Sequence, residues 1–196
     1  MARWEPNALE RLSQAAMELF VERGYARTTV EDIAERAGLT ERTFFRYFTD
    51  KREVLFSGSS ELERLIIDAV AGAPAAAAPL DIVVAALEAT DAMFAERRAF
   101  ARRRSALVAA HGDLQERELI KLAKLAASIA TSLRKRGIAE PAASLAAEAG
   151  IAIFKIAFER WVGDAKHGLA HHIRAGRDAL EVVTSRAKRP RSRSGR

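Results

Sequence analysis

The chain contains no cysteine. Disulfides, thiol nucleophiles and cysteine-ligated zinc are therefore excluded, and a reducing compartment suits it. Proline is scarce, with five among 196 residues, so little interrupts a helix. No run of alternating β-branched residues reads as a strand. No apolar run reaches about 18 residues, and no signal-peptide pattern opens the chain. A phosphate-binding loop, a nucleophile motif and a strong metal-ligand spacing are also missing, so neither enzyme activity nor a cofactor is expected. Acid is absent from the tail 186–196, which holds six of the 32 basic residues. The remainder is balanced at 26 basic against 26 acidic residues, so the net charge of +6 belongs to the tail and says little about nucleic acid. What is abundant is alanine in a 49% hydrophobic chain. The class expected is all-α, in a cytoplasmic protein that does not enter membranes.

The stretch 28–55 organises the rest. Val30, Ile33, Ala34 and Ala37 recur at three- and four-residue steps, one face of a helix. Gly38 suits the left-handed position that ends it. Thr29 and Thr40 are placed to cap the helices that follow them. Phe44, Phe45 and Phe48 are the bulky positions of the second helix. Asp50-x-x-Glu53 reads as a capping box for a helix over 51–71. Two helices about a glycine turn form a helix-turn-helix, whose second helix can enter a DNA major groove. Thr40, Arg42, Thr43, Arg46 and Tyr47 remain as donors on that helix. Arginine can fork onto guanine or phosphate, and the hydroxyls can bond phosphate. A solvated charged face is the plainer alternative. Lys51 opposes the dipole of the next helix, which favours a nearby anion.

The string Thr28-Thr29-Val30-x-Asp32-Ile33-Ala34-x-x-Ala37-Gly38-Leu39-Thr40-x-x-Thr43-Phe44-Phe45-x-Tyr47-Phe48-x-x-Lys51-x-x-Val54-Leu55 resembles the DNA-binding domain of TetR-type (TetR/AcrR) transcriptional regulators. The likeness extends upstream through Ala16, Leu19, Phe20 and the Gly24-Tyr25 turn. One departure is Phe45, where the family often has tyrosine, so a hydroxyl contact is lost there. The resemblance implies DNA binding through Thr28, Thr29, Thr40, Arg42, Thr43, Arg46, Tyr47 and Lys51. It implies a ligand-responsive repressor that binds a palindromic operator as a homodimer and answers to a small hydrophobic effector. The organisation expected is a helix-turn-helix domain over 7–52, a helical ligand-binding and dimerisation domain over 53–185, and a disordered basic tail over 186–196.

About nine helices are expected. After one over 7–23, the break at 72–79 precedes helices over 80–95 and 97–110. Asp113-x-x-Glu116 reads as a capping box for a helix over 113–136, which Gly137 stops. Helices over 141–162 and 170–185 follow. Helices five to seven enclose the effector pocket in the resembled family. Here they supply Met93, Phe94, Phe100, Leu107, Val108, Leu122, Leu125 and Ile129, with Arg98 and Arg104 for an anionic group. Packing in an ordinary core is the alternative for each of them. Segment 102–137, with its Arg117-Glu118 and Leu133-Arg134-x-Arg136-Gly137, also resembles the ligand domain of regulators in mycofactocin gene clusters, which implies an acyl-CoA ligand. The helix over 141–162 is apolar nearly all round, so it is expected to be buried on several sides. With the small residues of the last helix it suggests a four-helix dimer bundle through Ile153, Ile156, Phe158, Trp161, Ile173, Gly176, Leu180 and Val183.

Asp164, His167 and His171 would share one face of a continuous helix. Gly163 and Gly168 interrupt it, so no metal site is expected. A rival reading is an architectural nucleic-acid binder acting through the basic tail.

Overall fold

The computed structural model describes residues 7–185. The N-terminal arm, with Arg3, and the basic tail 186–196 lie outside the described residues. Among those described, every regular element is helical. Helix α1 (Ala8–Glu22) starts where Asn7 Oδ1 accepts the Glu10 amide at 3.0 Å. Its apolar stripe, Leu12, Ala16, Leu19 and Phe20, is buried, and Gly24 turns the chain at φ +86°. Helices α2 (Val30–Arg36) and α3 (Glu41–Tyr47) follow, each capped by the threonine in front of it.

A 3-10 turn, Glu53–Phe56, comes next, then α4 (Ser59–Gly72). The continuous helix expected from residue 51 is therefore divided. Asp50 still caps, since its Oδ1 accepts the amides of Arg52 and Glu53. Glu53 does not reciprocate, because its carboxylate is drawn across to a distant helix. The body continues with α5 (Pro79–Glu88), α6 (Asp91–Glu96), α7 (Arg98–Ala110), α8 (Gly112–Lys135), α9 (Ala142–Gly163) and α10 (Leu169–Thr184). The expected helix over 80–95 is split at Ala89-Thr90. There Thr90 is fully buried, and its hydroxyl donates to the Leu87 carbonyl at 2.7 Å.

Buried side chains gather in two clusters. One joins α1–α3 and the 3-10 turn, and also takes Val108 and Leu114 from α7 and α8. The other fills the body around α9, with Val83, Leu87, Ile129, Leu133, Phe154, Trp161 and Ile173. At Gly150 a Cβ would sit 2.3 Å from Val83 Cγ1, so α9 and α5 approach at a distance that only glycine permits. At Gly176 a Cβ would meet Ile153 Cγ2 at 3.1 Å. The small residues of α10 thus let it lie close against α9 of the same chain.

Candidate nucleic-acid interface

Short-range capping builds the reading head. Thr29 and Asp32 form a reciprocal box: the hydroxyl accepts the Asp32 amide at 3.1 Å, and the carboxylate accepts the Thr29 amide at 2.8 Å. That amide, with the Thr29 hydroxyl, holds the Asp32 carboxyl below the ordinary aspartate range. Thr40 Oγ1 accepts the Thr43 amide at 3.2 Å and starts α3. Between the helices Gly38 sits at φ +63°. The guanidinium of Arg11 braces this turn from α1 by donating to the Ala37 carbonyl at 2.5 Å. A Cβ on Gly38 would lie 3.0 Å from that guanidinium. The sequence reading missed Arg11, since nothing local ties residue 11 to residue 37.

Phe44 is fully buried and fixes α3 against α1 and α2, and Phe48 closes the helix behind it. The opposite face is free. Thr40, Arg42, Arg46 and Tyr47 are exposed, and Thr43 is partly so. Phe45 also stands outward at 54% exposure, although its residue type argues for burial. Arg46 lies over the Tyr47 ring at 4.9 Å and donates to its hydroxyl at 3.1 Å, so the two are held as a pair.

Three of the residues assigned to DNA are used differently within the chain. Thr28 is 1% exposed, and its hydroxyl donates to the Gly24 carbonyl at 3.0 Å. Thr29 is exposed but occupied by its cap. Lys51 Nζ donates to the carbonyls of Tyr25, Ala26 and Thr28 at 2.9, 3.3 and 3.0 Å and lies over the Tyr25 ring. All three of its protons are therefore committed to the turn that leads into α2. Here it positions that turn.

Three side-chain links join this unit to the body. Tyr25 donates to Asp113 Oδ2 at 3.0 Å, and burial together with this bond pushes the phenol well above its usual range. This explains why Asp113 does not cap α8, which has no side-chain cap. Arg104 donates to the Leu55 carbonyl and to Glu118, both at 2.8 Å, and lies over Phe56. Glu53 accepts from Arg117, and from Lys121 at 2.8 Å. Burial raises the Glu53 pKa, but the bonds from Lys121 and Arg117 outweigh it and leave the carboxyl below its ordinary value. The stabilisation should then be complete above the unfolded value of about 4.3 and fade as pH falls through the lower folded value. Glu53→Gln is expected to cost about 1–2 kcal/mol in urea unfolding at neutral pH. The gap from wild type should close at acid pH, where both side chains are neutral, and a gap that persists there would refute the ion-pair account.

Seven of the ten residues assigned to a pocket are divided between the two hydrophobic clusters. Phe100, Leu107 and Val108 pack into the N-terminal cluster, while Phe94, Leu122, Leu125 and Ile129 pack into the body core. Met93 is half-buried. Arg104 belongs to the links just described. Arg98 donates to the carbonyls of Asp164 and His167 and lies 4.7 Å over Trp161. A groove of about 690 Å³ runs instead between α4 and α8, lined by Ile67, Ala71, Ser128, Thr131, Lys135 and Arg136 among others. Of the eight residues assigned to a dimer, Ile153, Trp161 and Ile173 are buried within the chain. Phe158, Gly176 and Leu180 are partly covered, and only Ile156 and Val183 are exposed, at 50% and 80%.

Residues 12–57 match the family model described as bacterial regulatory proteins, tetR family. The HTH-type transcriptional regulator TcmR of Streptomyces glaucescens is 39% identical over 80 residues, which are 41% of this chain and 35% of TcmR. The similarity thus spans about a third of that relative's length. Two solved structures share the fold over nearly the whole chain. One, from Syntrophomonas wolfei and described as a TetR-family transcriptional regulator, has a TM-score of 0.64 at 18% identity and covers 90% of this chain and 94% of its own. The other is Thermus thermophilus FadR, a TetR-family repressor in complex with lauroyl-CoA, with a TM-score of 0.54 at 22% identity over 93% and 97% of the two chains.

Proposed function

We propose that this chain is a TetR-type transcriptional regulator, a cytoplasmic repressor that binds a palindromic operator as a homodimer and is controlled by a small hydrophobic anion. The observation that carries the DNA half is the outward face of α3. Arg42, Thr43, Arg46, Tyr47 and Phe45 stand together on a helix anchored from behind by Phe44. Arg42 lies in the first turn of α3, where base edges are reached. Phe45 replaces a hydroxyl contact with an apolar one, suited to a thymine methyl group. Two copies would read half-sites about 34–36 Å apart or a multiple of that.

The control half rests on the Glu53, Tyr25 and Arg104 links, which transmit a displacement of α7 or α8 to the unit that carries α3. An effector entering the α4–α8 groove meets apolar Ile67 and Ala71 beside cationic Lys135, with Glu63 bonded to Ser128 and Arg136 held to the carbonyls of Ala71, Ala73 and Pro74. That chemistry suits an acyl chain with an anionic head, the ligand class that FadR's structure holds. The α7 arginines Arg98 and Arg104 are already bonded within the chain and are poor candidates for that anion.

Binding to operator and random duplexes at several salt concentrations tests the reading head. Arg42→Ala is expected to lose about 1–3 kcal/mol on the operator and relax the preference at one base pair, with a smaller loss on random DNA. An equal loss on both duplexes would reduce Arg42 to a phosphate contact.

A further inference from the structure

The loop between α9 and α10 brings Asp164, His167 and His172 together, with one donor atom from each lying within 4.8 Å of the others. His167 Nδ1 is 2.6 Å from Asp164 Oδ2. His172 Nε2 is 3.2 Å from the same oxygen, yet it is inaccessible to solvent and lacks the alignment of a hydrogen bond. Its side chain is only 11% exposed. Its Nε2 is thus a buried ring nitrogen without a hydrogen-bond partner that faces a carboxylate oxygen, a position from which it can serve as a ligand to a bound cation.

We propose that Asp164, His167 and His172 form a binding site for a divalent cation of the zinc class, which clasps the start of α10 to the end of α9. Two imidazoles and a carboxylate are a donor set for zinc and its neighbours, not for magnesium or calcium, which prefer oxygen alone. Bond lengths of about 2.0–2.2 Å place tetrahedral donors roughly 3.3 Å apart, so small side-chain rotations complete the geometry. The Lys166 amide donates to Asp164 Oδ1 at 2.7 Å and fixes the carboxylate, while Oδ2 faces the two imidazoles, already hydrogen-bonded to His167 Nδ1 at 2.6 Å. Asp91, not Asp164, accepts the Ala170 amide at the start of α10, at 2.9 Å. A Cβ at Gly168 would lie 2.7 Å from that Asp91 carboxylate, so glycine keeps this cap in place. Arg98 holds the loop through the backbone carbonyls of Asp164 and His167 and leaves their side chains available. His171 stacks on His167 with ring centroids 4.2 Å apart and supports that ligand from outside. The helix break at Gly163 and Gly168, which argues against a metal when the chain is read as one continuous helix, is what folds the loop residue His167 back beside Asp164 and near His172 in the first turn of α10.

Calorimetric titration of the tag-free full chain with Zn²⁺ tests this. One Zn²⁺ should bind per chain, and Mg²⁺ should not. His167 is half-exposed, so His167→Ala should fold normally and weaken Zn²⁺ binding roughly tenfold or more. His172→Ala should do the same, while His171→Ala should leave binding within about twofold of wild type. A wild-type chain that binds no Zn²⁺, a His167→Ala chain that binds as tightly as wild type, or a loss confined to His171→Ala would each overturn the proposal.

Discussion

Trp161→Ala is expected to destabilise the chain by about 3–5 kcal/mol, with a urea midpoint lowered in proportion. Trp161 is fully buried in α9. Its ring packs edge-on against Phe94 at 5.7 Å and beside Phe158 at 5.6 Å, and Arg98 covers its other side. Truncation would leave a cavity between α6, α7 and α9 that these rings cannot fill without leaving their own rotamers. Arg98 would also lose the surface against which it holds the α9–α10 loop. The indole Nε1 has no hydrogen-bond partner, so truncation breaks no hydrogen bond and the cost is one of packing. Trp161→Phe, which keeps most of the volume and removes that unpaired donor, should cost well under half as much. A Trp161→Ala chain that unfolds at the wild-type midpoint would show that the ring is not a core element.

The second large effect concerns assembly. The large apolar residues of α9 and α10 that remain uncovered are Leu145 and Ile156 on one helix and Val182 and Val183 on the other, at 65%, 50%, 77% and 80% exposure. Because α10 runs back along α9, the C-terminal half of α10 lies beside the N-terminal half of α9. We propose that this pair of helices meets its symmetry mate in a four-helix bundle. Ile156→Glu would then place two unpaired carboxylates in one apolar interface, which costs several kcal/mol. The variant is expected to sediment as a monomer at micromolar concentration while its helical circular dichroism stays that of wild type. Leu119→Glu, a similarly exposed position on α8 away from this face, should leave the assembly unchanged. If Ile156→Glu sediments like wild type, the exposed stripe is not the contact. The same reasoning removes Trp161 as a probe of assembly, since a charge there would unfold the chain before it separated two.

What the sequence determined about this protein is whatever neighbours within a few residues decide. Thr29 with Asp32, Thr40 with Thr43, and the positive φ of Gly24, Gly38 and Gly137 are contests between adjacent groups, and the residue types settle them. The reading head is built almost wholly from such contests, so its helices and its outward arginines could be read off directly. The tertiary structure decided everything that depends on which face of a helix turns inward. The sequence of α9 is apolar around its circumference, so periodicity could not tell Trp161, which is buried, from Ile156, which is not. The same holds for polar partners far apart in the chain. Asp113 and Glu53 both stand where a capping box would use them, but Tyr25 lies 88 residues from the first, and Arg117 and Lys121 lie 64 and 68 residues from the second. Lys51 turns inward to three carbonyls for the same reason. A charged group follows the partners that the assembled fold offers it at low dielectric, and a cap is only the nearest of several.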